Sequence, residues 1–186
     1  FIGLIFYFLS CFYLGPIAWS LSLLPIIPLI IYSFLKRFTA FCHFGIGLVL
    51  ACAPLCAYIA VSNTVVFNPQ IILFSLFTFF WISGFDIIYS LMDEEYDRLN
   101  NIHSMSVLLG KRGAQIVALL IHIIAFSLLV LLWMSIGGVV SFIFLILAAL
   151  SFGAAYIQTI PVNIRFFPIS VIAGISSALV ILFGGI

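Results

Sequence analysis

Charged side chains are scarce in this sequence of 186 residues: lysine, arginine, aspartate and glutamate make up 6% of it. A soluble domain carries about 25% charged residues, and much of its surface must face water. With 66% hydrophobic residues and a mean hydropathy of +1.44, this chain cannot hide its apolar surface in a soluble fold. We therefore predict a membrane protein with the lipid bilayer as its partner. The net charge of +1 predicts no nucleic-acid partner.

Metal-type cysteine pairs and a leader-like start are also missing. The four cysteines lie in apolar stretches without a C-x-x-C pair, so we predict buried packing residues with neither a disulfide nor a metal. The sequence begins with Phe1 inside an apolar run, and no charged segment precedes it. It therefore does not resemble a signal peptide, and we expect it to start partway through a helix of a longer protein.

Long apolar runs make up most of the sequence, and they do not alternate between apolar and polar residues. In lipid, backbone groups must be bonded within the protein, which leaves helices or closed barrels. Barrel strands would show a period of two, so we predict an all-α, polytopic transmembrane helix bundle of about seven helices. Pro25, Pro28 and Pro54 lie inside these helices and are expected to kink them. The predicted segments are residues 1–14 (cut short), 17–35, 38–61, 70–92, 114–134, 139–160 and 166–186.

The charges fall on one side of this topology. Lys36 and Arg37 follow the second segment, and Arg165 follows the sixth. The remaining charges lie between Asp86 and Arg112, where the fourth segment ends. Even-numbered segments all end on the same side, and the three opposite connections carry no charge. Because lysine and arginine mark the cytoplasmic side, we predict that the active face is cytoplasmic.

The end of the fourth segment concentrates the acidic residues. A helix turns about 100° per residue, so offsets of 7 and 11 residues return to within about 20° of the start. Asp86, Asp93 and Asp97 therefore form one acidic stripe if the helix continues, and Tyr89 borders it. Asp86 lies inside the apolar segment, where a carboxylate is costly and usually functional.

Carboxylates about 6 Å apart on one helix suit a hard divalent cation. Mg²⁺ is usually held by one or two carboxylates together with substrate phosphates. The stripe therefore predicts a Mg²⁺–diphosphate site at the cytoplasmic membrane surface. The alternative is a solvated helix end whose acids only supply polarity, which is our interpretation of Glu94 and Glu95.

A basic cluster closes the second segment on the same side. Tyr32 and Lys36 are four residues apart and share a helix face. Lys36 and Arg37 could neutralise phosphate oxygens, the arginine in a bidentate way. They could equally be an anchor whose side chains snorkel to the lipid headgroups, and spacing alone does not separate the two.

Two histidines and one glycine complete the candidates. His43 and His122 lie within apolar segments, and we interpret them as packing or capping residues rather than as ligands. Gly110, followed by Lys111 and Arg112, indicates a local turn.

Two of these patterns together resemble a known family. The aspartate run, with the residues after it, resembles the second aspartate-rich motif of the UbiA family of intramembrane prenyltransferases, and Tyr32-x-x-x-Lys36-Arg37 is similar to the family's Y-x-x-x-K element. Its form is most similar to the branch that prenylates 4-hydroxybenzoate. The residues that carry the resemblance are Asp86-x-x-Tyr89-x-x-x-Asp93-x-x-x-Asp97, Asn101-Ile102-His103-Ser104, Leu109-Gly110, Tyr32, Lys36, Arg37, Gly45-x-Gly47 and Pro54.

The resemblance implies an enzyme of nine transmembrane helices in the inner membrane of the cell. It would transfer a polyprenyl group from polyprenyl diphosphate to a small aromatic acid, with Mg²⁺, in ubiquinone or menaquinone biosynthesis. Asp93 and Asp97 would bind the Mg²⁺–diphosphate, with Asp86 as a supporting ligand. The implied catalytic residues are Lys36, Tyr32 and Asp86, and the implied diphosphate-binding residues are Lys36, Arg37 and Tyr89.

The sequence also departs from the family pattern. The first motif, N-x-x-x-D-x-x-x-D, has no counterpart here, and seven predicted helices are two short of nine. We therefore expect residues 1–186 to form a single prenyltransferase domain that lacks its first two helices, which puts the activity of these residues alone in doubt. Ser170 stands where the family pattern leads us to expect asparagine.

Other functions fit parts of the sequence. A UbiA-type enzyme could use a different aromatic acceptor. A secondary transporter places carboxylates near the bilayer midplane, although only Asp86 could approach that depth. A non-catalytic helper or an inactive fragment is a further alternative.

Overall fold

The computed structural model describes residues 2–185, and every regular element in that range is a helix. This confirms the predicted all-α class. The helices are α1 (Ile2–Leu14), α2 (Pro16–Ser20), α3 (Ile26–Leu35), α4 (Cys42–Ser62), α5 (Pro69–Leu99), α6 (Met105–Ile136), α7 (Val139–Ala154) and α8 (Val162–Leu182).

Four helices, α4, α5, α6 and α8, are long and apolar enough to cross a membrane. The helices α1, α3 and α7 are apolar but shorter. At 1.5 Å per residue, the 31 residues of α5 extend about 46 Å, whereas the hydrocarbon core of a bilayer is about 30 Å thick. Helix α5 is therefore longer than the hydrocarbon is thick, and its last two turns carry Asp93, Glu94, Glu95 and Asp97.

The second predicted segment is broken rather than kinked. Helix α2 ends at Ser20, and α3 begins only at Ile26, with Pro25 as its N-cap and Pro28 in its first turn. Proline lacks the N–H that an interior helical residue donates, but the first turn does not need it. The expected kink therefore appears as a helix boundary. Pro54 does lie inside a helix, α4.

The polar connection after α5 is much shorter than the sequence indicated. Helix α5 continues past residue 92 to Leu99, and α6 begins at Met105 with Ser104 as its N-cap. The predicted turn at Gly110 is confirmed, since its φ of 69° and ψ of 169° interrupt α6. Because α5 continues, the three aspartates lie on one uninterrupted helix.

Contacts between connections agree with the predicted alternation of the helices. On the charged side, the backbone N–H of His103 donates to the Lys36 carbonyl. On the opposite side, the backbone N–H of Gly185 donates to the Gly137 carbonyl. Chain segments that the sequence assigns to one side of the bundle are thus neighbours in space.

Helices α5 and α6 form the centre of the described bundle. Several small residues of α6 are fully buried in this centre, among them Ala114, Ala118 and Ala125. Phe77 and Phe85 of α5 belong to the same buried cluster. Small side chains let membrane helices approach closely, and close van der Waals contact is what holds such helices together.

Candidate active site

Two glycines place α4 directly between α3 and α5. A Cβ atom at Gly45 would lie 3.6 Å from the Cβ of Tyr32 in α3. A Cβ atom at Gly47 would lie 2.6 Å from the carbonyl oxygen of Phe79 in α5, which is closer than real atoms pack. Residues two apart point to nearly opposite sides of a helix. The Gly45-x-Gly47 pair therefore brings the basic end of α3 and the acidic end of α5 to the same helix.

The two charged clusters meet at the start of α4. The His103 N–H donates to the Lys36 carbonyl over 2.8 Å, which joins the connection after α5 to the end of α3. The thiol of Cys42, the first residue of α4, donates to the His103 carbonyl at 3.6 Å. The clusters that the sequence separates by about 50 residues are therefore neighbours.

The residues of the basic cluster differ in how far they are exposed to solvent. Tyr32 and Lys36 are half-buried, and the Tyr32 hydroxyl lies within electrostatic range of Asp86, Lys36 and Tyr89. Arg37 is exposed, and its guanidinium lies over the Phe34 ring, 5.9 Å from the ring centre. The structure therefore brings Tyr32 and Lys36 to the acidic stripe and leaves Arg37 at the surface.

The three aspartates of the stripe have different environments. Asp86 is half-buried, and its Oδ2 accepts a hydrogen bond from Nδ1 of His43 at 2.6 Å. Asp93 is half-buried. Asp97 is 3% exposed, and its Oδ2 is buried without a hydrogen-bond partner among the described residues. A buried carboxylate oxygen without a partner is costly, so Asp97 calls for a cation or a donor.

Tyr89 contacts α8. Its ring centre lies 4.7 Å from that of Phe166 and 6.5 Å from that of Phe167. These contacts close one side of the stripe with aromatic side chains. The predicted role of Tyr89 in binding diphosphate stays a prediction.

The acidic stripe offers fewer ligands than a complete metal site requires. Within residues 2–185, no three histidine, cysteine, aspartate or glutamate side chains converge to hold a metal. Asp93 and Asp97, one turn apart, fit the smaller demand of Mg²⁺, which takes one or two carboxylates and completes its shell with phosphates and water. Asp86 lies about 10 Å further along the helix, and His43 already engages it. We therefore assign the Mg²⁺ prediction to Asp93 and Asp97, with Asp86 in a supporting position.

His43 makes a contact with the acidic stripe that the sequence did not predict. It was expected to pack or cap, and its Nε2 does accept the N–H of Met105, the first residue of α6, at 3.1 Å. Its Nδ1 also reaches the stripe through Asp86. The available signal was a histidine six residues after a basic cluster. That signal could not show which residue of another helix lies opposite.

Arg165 lies in a helix rather than in the predicted connection. It was expected in the connection after the sixth segment, but it lies in the first turn of α8 and is 3% exposed. Its Nη1 donates to the Ala155 carbonyl at 3.5 Å. Its long side chain therefore folds back onto the end of α7 instead of reaching water.

Comparison with known proteins identifies the class. The sequence profile described as the UbiA prenyltransferase family matches residues 1–164. The apo structure of a UbiA homolog from Aeropyrum pernix K1 superposes with a TM-score of 0.78, with 24% sequence identity, over 95% of this chain and 67% of that one. The chain belongs to the UbiA prenyltransferase family.

Curated relatives narrow the resemblance. A 4-hydroxybenzoate octaprenyltransferase of Vibrio cholerae serotype O1 is 30% identical over 125 residues, which cover 67% of this chain and 43% of that protein. Another, from Shewanella woodyi, is 32% identical over 106 residues, covering 57% of this chain and 36% of that protein. The matched part is thus less than half of each relative's length.

Proposed function

We propose that this chain carries the second half of the active site of a Mg²⁺-dependent prenyltransferase. The enzyme transfers a polyprenyl group from its diphosphate to an aromatic acceptor of the 4-hydroxybenzoate type in quinone biosynthesis. The observation that carries the proposal is the His103–Lys36 hydrogen bond, which joins the basic end of α3 to the acidic end of α5. The names of the relatives support the substrate class.

The residues divide the chemistry between them. Ionisation of an allylic diphosphate breaks its C–O bond and leaves a carbocation and a more negative diphosphate. The carbocation then bonds to a carbon of the aromatic acceptor, and that carbon loses its proton to a base. Mg²⁺ supplies, when bound, charge neutralisation of that leaving group. Lys36 binds a phosphate oxygen as a point charge, and Tyr32 donates its hydroxyl beside it. Asp86, whose carboxylate is bound by His43 Nδ1 at 2.6 Å, supplies an oriented acceptor group that favours a cation formed nearby.

An apolar groove supports the prenyl part of the proposal. It lies between α3 and α4, has a volume of about 330 Å³, and begins beside Tyr32 and Leu35. It continues along Leu48 to Leu24 and Cys52. A prenyl chain whose diphosphate lies at Lys36 would therefore have an apolar path away from the charged face. The proposed orientation puts that face on the cytoplasmic side of the inner membrane, because the positive residues lie there.

The test is transfer of a labelled prenyl group to 4-hydroxybenzoate by membranes that contain the complete protein. We expect Mg²⁺-dependent product, and its loss in Asp93→Asn and in Lys36→Ala with membrane insertion unchanged. Glu95→Gln is the matched control, since Glu95 is exposed and lies off the stripe. Normal transfer by either site variant, or ion-driven uptake without transfer, would overturn the proposal.

A further inference from the structure

His43 lies where three helices meet and is fully buried. It belongs to the first turn of α4, contacts Asp86 of α5 through Nδ1, and contacts Met105 of α6 through Nε2. Both ring nitrogens are therefore hydrogen-bonded to groups from other helices. A residue that only filled space would need neither contact.

The chemistry of the two contacts sets the position of the ring proton. The Met105 backbone N–H can only donate, so Nε2 must present its lone pair. The proton of the neutral ring is consequently on Nδ1, where it donates to Oδ2 of Asp86 at 2.6 Å. The backbone of α6 thus fixes the tautomer that Asp86 requires.

The His43–Asp86 hydrogen bond restrains Asp86 in an apolar part of α5. Asp86 lies 11 residues before Asp97, about 16 Å deeper along the helix, toward the apolar part of α5. A carboxylate there is costly unless a donor compensates it. The His43 donor engages Oδ2 and leaves Oδ1 of the same carboxylate without a bond to His43.

We propose that His43 is a positioning residue of the prenyl-transfer site: its Nδ1–H holds the Asp86 carboxylate in place on the acidic stripe. The proposal rests on the proposed function for its effect on rate, and on the hydrogen bonds alone for its structural part. His43 does not touch substrate in this arrangement, and it acts through Asp86. Loss of such a supporting hydrogen bond typically lowers activity about 10- to 100-fold.

Two conservative variants separate positioning from a purely structural role. In His43→Asn the side-chain amide nitrogen occupies the place of Nδ1, so the donor to Asp86 is kept and the acceptor for Met105 is lost. In His43→Gln the side-chain oxygen occupies the place of Nε2, so only the acceptor is kept. We expect His43→Asn to recover most of the kcat lost in His43→Ala, and His43→Gln to remain about 10- to 100-fold reduced. Recovery by glutamine and not by asparagine would overturn the proposal.

A spectroscopic measurement tests the structural part without any activity. His122 is an internal control, since its Nε2 faces the Trp81 carbonyl, which can only accept, and its Nδ1 faces the Tyr156 hydroxyl. In the ¹⁵N spectrum of histidine-labelled protein we expect an Nδ1–H signal from His43 and an Nε2–H signal from His122. Asp86→Ala should shift only the first. An Nε2–H signal from His43 would refute the contact, whereas the expected spectrum in a protein without prenyl transfer would refute only the proposed function.

Discussion

The backbone N–H of His103 lies 2.8 Å from the carbonyl oxygen of Lys36. This single hydrogen bond joins the connection that follows the acidic stripe to the residue that ends the basic helix. Lys36 is the C-cap of α3, where the helix leaves carbonyls without an internal partner. The bond thus satisfies one of them and fixes the distance between two halves of a charged site.

The connection that carries His103 depends on Asn101. This residue has a φ of 52°, in the left-handed region that asparagine and glycine tolerate and that β-branched residues avoid. We expect Asn101→Val to destabilise the protein by about 1–2 kcal/mol and to lower prenyl transfer, because the His103–Lys36 bond shifts. Asn101→Gly should preserve both. Thermal unfolding in detergent and the transfer assay measure the two effects, and equal behaviour of valine and glycine would contradict this account.

Lys36 and Arg37 should differ sharply although they are adjacent. Lys36 is half-buried at the meeting point of the clusters, whereas Arg37 is exposed over Phe34, a contact worth about 0.5–1 kcal/mol at the surface. We expect Lys36→Ala to abolish transfer and Arg37→Ala to reduce it only modestly. Binding of inorganic diphosphate, measured by calorimetry, should follow the same order. A larger loss from Arg37→Ala would assign the diphosphate to the surface arginine instead.

Asp97 should couple stability to magnesium. Its buried Oδ2 has no partner in the described part of the chain, which is costly for a polar group, and a bound cation would supply a partner. We expect Mg²⁺ at about 100 times its dissociation constant to stabilise the protein by about 2.7 kcal/mol. Asp97→Asn should be more stable than the parent without Mg²⁺ and should lose this gain. If Mg²⁺ raises the melting temperature of Asp97→Asn as much as that of the parent, Asp97 is excluded as a ligand.

Gly47 should not tolerate even one added methyl group. Its Cβ would meet the Phe79 carbonyl oxygen at 2.6 Å, and a backbone atom cannot rotate away. Overpacking of this kind costs about 1–3 kcal/mol, so Gly47→Ala should lower the melting temperature and move α4 away from Asp86. Gly153→Ala is the matched control, since nothing lies within 4 Å of its added Cβ. Similar melting temperatures for the two variants would contradict the close contact of α4 and α5.

Much of the acidic half of the site could be predicted because it is local. Asp86, Asp93 and Asp97 belong to one helix, and a helix relates residues 7 and 11 apart through its own geometry. The helix boundaries were harder to predict from the sequence. Pro25 and Pro28 were expected to kink a helix but lie where one begins, and Leu99 ends α5 well after its apolar run stops. Hydropathy indicates which residues contact lipid. It does not indicate where a helix ends, because a helix can continue through polar residues while its backbone hydrogen bonds are satisfied.

The sequence alone determined that this protein lies in a bilayer as helices, and that its charges gather on one face, because both follow from composition and from the order of segments along the chain. Only the tertiary structure decided that His43 meets Asp86, that Lys36 meets His103, and that Arg37 is exposed over Phe34. Those contacts depend on how closely α3, α4 and α5 approach each other. That approach is set by glycines such as Gly45 and Gly47, whose neighbours on other helices no pattern along a single chain can show.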